Sequence, residues 1–358
     1  MKRCSVCVTP VTRPRLELNK EGVCNACTHH ENKKTKINWK DKRKELEAIC
    51  NEHRSVKPFN CIVPVSGGKD SSTVAWAMKH KFGMNPLCVT FREPMQTWIG
   101  RQNLENFIQS GFDHIMVSPD VQAYRKFNKD WFIEKGMPKQ AFVVGISTSV
   151  IRIANHFDIS LCVWGEQGEV EYGGKSEPTK KFTRDFLIDV YYEGQKDSEK
   201  YGPWWKVPTQ KELDKVENIW YSNYHDWDPE KHAIFAKQHC GLELLVGGSI
   251  GTFTNHSQLS DVIQDLHCYL QFLKFGFGRC TSDASIEIRR GRLKRSEGVR
   301  IVNEIDGLFP LEYQDAFCSY FDMTEKEFWD VLGGFANMEL LRKTTDKERP
   351  YVTKIPCA

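Results

Sequence analysis

Pro64-Val65-Ser66-Gly67-Gly68-Lys69-Asp70-Ser71-Ser72 is the stretch that decides the fold of this 358-residue chain. The apolar run Cys61-Ile62-Val63-Pro64-Val65 leads into it, and a helical pattern over 72–82 leads out. Strand, glycine turn and helix follow in order. Such a turn gathers backbone N–H groups at a helix N-terminus, where the dipole favours an anion. Gly67 and Gly68 let the backbone approach a phosphate with no Cβ between. A Walker A loop needs Gly-x4-Gly-Lys-Ser/Thr. Here the glycines are adjacent and Asp70 follows the lysine. Residues 168–176 come nearer to Walker A, but have one residue too many and a poor cradle of acidic and aromatic side chains.

Outward from the loop, apolar runs at 61–65, 86–91, 114–118 and 160–165 predict four strands. Helical patterns at 71–82, 98–110, 121–135 and 139–156 lie between them. The alternation predicts an α/β fold with a parallel sheet and helices on both faces. Ligands of such sheets bind at the carboxyl ends of the strands. The glycine loop, 90–92, 118–120 and 165–167 all stand at such ends. Residues 171–256 are rich in aromatic and charged residues, and are expected to be an insertion that covers the site or meets a partner. Residues 257–276 form an amphipathic helix on Leu259, Val262, Ile263, Leu266, Leu270 and Leu273, and 279–358 look helical with no strand signal.

No apolar run reaches the ~20 residues of a membrane span, and the opening Met-Lys-Arg-Cys-Ser-Val-Cys is no signal peptide. A membrane is not an expected partner. The first 60 residues hold 14 Lys and Arg against 7 Asp and Glu; this +7 leaves −4 for the rest of a chain of net charge +3. The basic end suits an acidic partner or is simply a solvated helix face. Most of the 13 cysteines stand singly in apolar runs, as at Cys61, Cys88 and Cys162, which fits a reducing cytoplasm.

Four cysteines are different. Cys4-x2-Cys7 and Cys24-x2-Cys27, with 16 residues between the pairs, match a zinc-knuckle spacing. Four thiolates suit a structural Zn²⁺, with an iron–sulfur cluster as the alternative. A segment of this size has little core of its own, so metal binding would supply its fold. His29 and His30 are taken as surface residues.

Within the loop, Ser66, Gly67, Gly68, Ser71 and Ser72 are placed to donate hydrogen bonds to phosphate, and Lys69 to add charge. Asp70 either contacts Mg²⁺ or caps the following helix. Thr90, at the end of the second strand, is placed to meet the adenosine of ATP, and Gly165 and Glu166, at the end of the fourth, are placed to bind ATP. Glu166 and Glu169 are placed to carry Mg²⁺ or hold substrate, unless they are solvated turn carboxylates. Residues 278–295 are dense in arginine; Arg279, Asp283, Arg289 and Arg292 are the substrate candidates, and a basic helix face joining domains is the alternative.

Ser66-Gly-Gly-Lys-Asp-Ser71 resembles the loop of the PP-loop ATP pyrophosphatases, which cleave ATP between the α and β phosphates. The resemblance widens when three other stretches are added: Cys4-Ser-Val-Cys-Val-Thr-Pro-Val-Thr-Arg-Pro14, Glu21-Gly-Val-Cys-Asn-Ala-Cys27 and Lys274-Phe-Gly-Phe-Gly-Arg279. Together with Asp283-Ala-Ser-Ile-Glu-Ile-Arg-Arg-Gly-Arg292, they are similar to the N-acetyl sugar amidotransferases of lipopolysaccharide and pseudaminic or legionaminic acid biosynthesis.

That resemblance implies an adenine nucleotide alpha hydrolase (HUP-like) sheet over 58–256, with the aromatic insertion at about 171–256. A four-cysteine zinc-ribbon-like module (1–30), a basic helical linker (31–57) and a helical C-terminal region (257–358) flank it. It implies ATP with Mg²⁺ as cofactors, Ser66, Lys69 and Asp70 as catalytic residues, and a nucleotide-activated N-acetyl sugar as substrate. No N-terminal cysteine nucleophile follows Met1, and no Gly-x-Cys-x-Gly elbow occurs. Ammonia is therefore expected from a separate glutaminase, as in the glutaminase and synthase pair of histidine biosynthesis. A PP-loop tRNA-thiolating enzyme is the alternative. It would bring further Cys-x2-Cys pairs, which do not occur after residue 27, so nucleic acid is not the expected partner.

Overall fold

Residues 61–63 are at most 1% exposed. In the computed structural model, which describes residues 1–174, 183–192, 194 and 197–358, they form strand β1 (Cys61–Pro64). It is the middle strand of a five-stranded parallel sheet of order β3-β2-β1-β4-β5. The others are β2 (Pro86–Phe91), β3 (His114–Val117), β4 (Leu161–Trp164) and β5 (Glu217–Trp220). Four of the five occupy the expected apolar runs. The fifth comes from the aromatic stretch that was expected to be an insertion.

The α/β reading with helices on both faces holds. Successive β residues point to opposite faces, and Ile62, Leu87, Val89, Phe91 and Cys162 enter one core while Cys61, Val63, Cys88, Leu161 and Val163 enter the other. The first core lies under α5 (Val121–Lys135) and α6 (Gln140–His156). The second lies under α3 (Lys69–His80) and α4 (Trp98–Gln109). Two N-terminal helices precede these, α1 (Asn25–Thr35) and α2 (Trp39–His53), and Leu46 and Cys50 of α2 enter the second core.

Beyond β4 come α7 (Gly168–Tyr172), α8 (Arg184–Val190) and the short α9 (Gln210–Leu213), then β5 and α10 (Pro229–Cys240). Tyr192, Trp205 and Trp220 are buried in the first core, and the Trp205 indole donates to the Ala141 carbonyl at 2.8 Å. These aromatics pack against the sheet rather than face outward.

The amphipathic helix starts later than expected, as α11 (Ile263–Phe275). Gln258 has φ +58°, and the Ser260 carbonyl accepts from Thr97 N–H at 3.1 Å, so 257–262 run as a strap across α4. The apolar positions Leu259, Val262, Ile263, Leu266, Leu270 and Leu273 are nonetheless all buried. Helices α12 (Arg279–Arg289), α13 (Arg295–Ile305), α14 (Gln314–Phe321) and α15 (Glu325–Phe335) follow. The C-terminal part is not all helix: β6 (Leu341–Lys343) and β7 (Tyr351–Thr353) form an antiparallel pair. Among the described residues, no helix is long and apolar enough to cross a membrane.

Candidate functional site

At the C-terminal ends of β1 and β4, where the strand order reverses, a cavity of about 420 Å³ opens. The glycine loop forms its floor. Gly67 has φ +75°, and a Cβ there would stand 2.5 Å from the backbone N and Cα of Leu104 in α4. Glycine is required at that position by both conformation and space. Gly68 caps α3 with ordinary backbone angles and no side-chain bond. The Ser66 N–H donates to Ser71 Oγ, and Ser71 Oγ donates to the Gly68 carbonyl, both at 3.3 Å. These bonds tie the loop into a single turn.

Ser66, Gly68, Lys69, Asp70 and Ser71 line this cavity together with Gly165, Glu166 and Arg279. Gly67 shapes the loop from behind, and Ser72 is buried beneath it at 1% exposure. Thr90 is not brought to the cavity. Its hydroxyl donates to the Val65 carbonyl at 2.7 Å and meets His114 Nε2 at 2.8 Å, so it is a tie between strands. Glu169 lies in α7, and its side chain is outside the described ones.

Asp70 is not a helix cap. It stands in the first turn, and its carboxylate accepts from Lys69 Nζ at 2.6 Å and contacts His232 Nδ1 at 2.8 Å. Burial opposes its ionisation, but the Lys69 charge and the His232 bond outweigh burial and hold it well below the usual carboxylate range. Glu166 behaves in the opposite way. Burial first, and then the charge of Asp70, push its carboxyl up to about 7.

Several residues of this cavity were not found in the sequence. Lys139 bridges Glu93 at 2.9 Å and Asp261 at 3.0 Å, all three buried. Burial raises the Glu93 carboxyl to about 7 despite the Lys139 charge, with Asp261 adding to the rise. His256 and Tyr172 also line the cavity, and burial holds His256 down at about 4, hence neutral.

The four substrate candidates separate. Arg279 reaches the cavity, held by Asp283 at 2.9 Å, and Asp283 is fixed in turn by the Thr252 hydroxyl at 2.6 Å. The other two arginines leave it. Arg289 Nη2 donates to the Glu171 carbonyl at 3.0 Å beside the cysteine cluster, because ten residues of helix turn it off the face of Arg279. Arg292 makes a two-pronged pair with Asp228 at 2.9 and 3.0 Å and a further pair with Glu287, so its fork is already occupied.

Cys4, Cys7, Cys24 and Cys27 form a second centre. All four are buried, and their sulfurs lie within 4.8 Å of one another, a set that can hold a metal ion. Cys4 and Cys27 sulfurs are 3.9 Å apart, and those of Cys7 and Cys24 are 3.8 Å apart. The Val6 and Cys24 N–H groups both donate to Cys4 Sγ. His30 is buried rather than on the surface, and burial lowers it to about 4. The module and α1, which runs on from it, grip α7 and the two glycines after it: Lys33 pairs with Glu171, Asn25 donates to the Gly174 carbonyl, and Arg13 Nε donates to the Gly173 carbonyl at 2.9 Å. Glu166 stands two residues before that helix.

Residues 250–353 match the family model described as LPS biosynthesis protein WbpG-like, C-terminal domain. That stretch supplies Arg279, His256 and Asp283. The uncharacterised protein MJ1599 of Methanocaldococcus jannaschii is 35% identical over 89 residues, which is 24% of this chain and 31% of that protein. The chain thus spans about a third of the length of the curated relative it matches. Among solved structures, NMN synthetase from Francisella tularensis aligns with a TM-score of 0.36 at 11% identity, covering 73% of this chain and 96% of that one. The U34-tRNA thiolase NcsA from Methanococcus maripaludis, with its [4Fe-4S] cluster, aligns with a TM-score of 0.32 at 11% identity, covering 82% and 87%.

Proposed function

We propose that this protein is an ATP-dependent amidotransferase. It converts the N-acetyl group of a nucleotide-activated sugar to an acetamidino group in surface polysaccharide biosynthesis, with ammonia from a separate glutaminase. One observation carries the reading. The Ser-Gly-Gly-Lys-Asp-Ser loop faces Glu166 across a single cavity, and the third wall, Arg279, comes from the stretch that matches the lipopolysaccharide family.

An acetamido carbon is a poor electrophile, because its nitrogen donates into the carbonyl. Attack of the amide oxygen on the ATP α-phosphorus forms a P–O bond and breaks the bond to the β-phosphate oxygen. Pyrophosphate leaves, and an O-adenylyl imidate remains. Ammonia adds to its carbon, the C–O bond breaks, AMP departs with the former amide oxygen, and protons are released to the surroundings. The loop N–H groups and the Ser66 and Ser71 hydroxyls would meet the charge that develops on pyrophosphate, with Lys69 beside them. His232 positions Asp70 rather than touching substrate.

Asp70 and Glu166 are the groups that would hold Mg²⁺. Burial first and Asp70 second disfavour the ionised Glu166 carboxyl, and a divalent cation between the two carboxylates would stabilise that ionised form; the ion would also offset charge on the triphosphate. At the cysteine centre, a tetrahedron of sulfurs each about 2.3 Å from zinc has edges of about 3.8 Å. The sulfur separations of 3.8 and 3.9 Å fit that ion.

The protein, incubated with ATP, Mg²⁺, ammonium and a nucleotide-activated N-acetyl sugar, should form AMP only when the sugar is present. The sugar's mass should fall by the difference between O and NH. Glutamine should replace ammonium only when a glutaminase is added. AMP formed only with tRNA and a sulfur donor would overturn the reading.

A further inference from the structure

A second chamber of about 390 Å³ adjoins the nucleotide cavity, and the two share Glu166 and Tyr172 as a common wall. Among the described residues, its lining comes from stretches far apart in sequence. Arg13 and Arg15 belong to the four-cysteine module, Phe186 and Tyr191 to the α8 region, Trp220 to β5, and Phe277 to the turn before α12. Two arginines and six aromatic residues, Tyr172 and Phe275 included, therefore line one space beside the loop. Arg13 is held in place by the Gly173 carbonyl at 2.9 Å and stands 5.8 Å from the Phe277 ring centre. Arg15 has φ +62°. It stands in the turn that the Leu16 N–H closes on the Arg13 carbonyl at 3.2 Å.

Guanidinium forks select phosphate and carboxylate groups. Aromatic walls suit the flat face of a base or the apolar face of a sugar. The volume lies in the range of small-ligand sites. We infer that this chamber is the acceptor site and takes a nucleoside diphosphate-linked sugar. Its diphosphate lies against Arg13 and Arg15, and its N-acetyl group lies at the boundary with the nucleotide cavity, where Glu166 and Tyr172 line both. The inference rests on the amidotransferase reading for the identity of the acceptor. It gives the four-cysteine module a direct part in substrate binding, since its own loop carries both arginines.

The probe is UDP, titrated by calorimetry into the full chain saturated with a non-hydrolysable ATP analogue. The wild type should bind UDP. Arg13→Ala and Arg15→Ala should each weaken that binding by about ten- to hundredfold, with the affinity for the ATP analogue unchanged. Arg15→Lys keeps the charge without the fork and should fall between. If an arginine variant loses its metal or its thermal transition, Phe186→Leu tests an aromatic part of the lining and should also weaken UDP. In turnover with a UDP-linked N-acetyl sugar, the arginine variants should raise the acceptor KM and leave kcat nearly unchanged. Wild type that fails to bind UDP, or arginine variants that bind it normally or lose the ATP analogue equally, would overturn the inference. If the arginine-dependent UDP site stands but no acetyl sugar is converted, the chamber survives and the amidotransferase reading fails.

Discussion

Replacing Glu166 by glutamine should make the protein more stable and less active, and the gain in stability should depend on pH. The Glu166 carboxyl is pushed up from an ordinary value near 4.5 to about 7, by burial and then by Asp70. The folded chain therefore holds this proton more tightly than the unfolded chain does. The wild type loses stability as pH rises from the unfolded value toward the folded one, and the deficit is complete above it. A shift of this size corresponds to about 3 kcal/mol. Glutamine keeps the shape and cannot ionise. At about 2.1 cal/mol/K of unfolding entropy per residue, 358 residues turn that energy into a rise of about 4 °C in melting temperature. In Mg²⁺-free buffer, melting curves of Glu166→Gln and wild type should coincide near pH 4.5 and diverge by about 4 °C at pH 8. Added MgCl₂ should raise the melting temperature of the wild type and leave the variant unchanged. ATP turnover of the variant should fall by at least about a hundredfold. A variant no more stable than wild type at pH 8, or a difference that ignores pH, would refute the burial of this carboxyl beside Asp70.

Three further outcomes follow from the geometry. Gly67→Ala puts a side chain where α4 backbone stands and forces a left-handed conformation costing about 1–2 kcal/mol; calorimetry should show ATP affinity down by at least about tenfold, whereas Gly68→Ala, at ordinary angles and 3.3 Å from Ser66 Oγ, should be milder. Lys139→Met leaves Glu93 and Asp261 buried without their cation, and urea unfolding should show a loss of about 3–5 kcal/mol above pH 7, smaller at pH 5 where Glu93 is protonated. Cys4→Ser should remove zinc from the purified chain by elemental analysis and lower the melting temperature, while Cys318→Ser, which lies outside the cluster, should keep the metal.

The sequence discloses features whose signal is local. The glycine loop and the first four strands announce themselves because each strand is an apolar run closed by a turn or a helix. Strand β5 was hidden because Glu217-Asn-Ile-Trp220 is four residues long inside an aromatic stretch. The β6–β7 pair was hidden because each strand has three residues and buries one, Leu341 or Tyr351. Arg279 and Asp283 are four apart and share a helix face, so their partnership is visible in the spacing. The destinations of Arg289 and Arg292 depend on Glu171 and Asp228, which only the tertiary fold brings near. Glu93 is the instructive omission. It lies two residues past the end of β2, one beyond the stretch 90–92 singled out for its position at a strand end. His256 and Lys139 reach the cavity from loops and helix starts with no motif of their own.

The fate of one oxygen atom tests the central claim most directly. An acceptor sugar carrying ¹⁸O in its acetyl carbonyl, turned over with ATP and ammonia, should transfer that label to the phosphate of AMP, because the amide oxygen attacks the α-phosphorus and leaves with it. AMP free of label, with product formed, would contradict amide-oxygen activation at this loop.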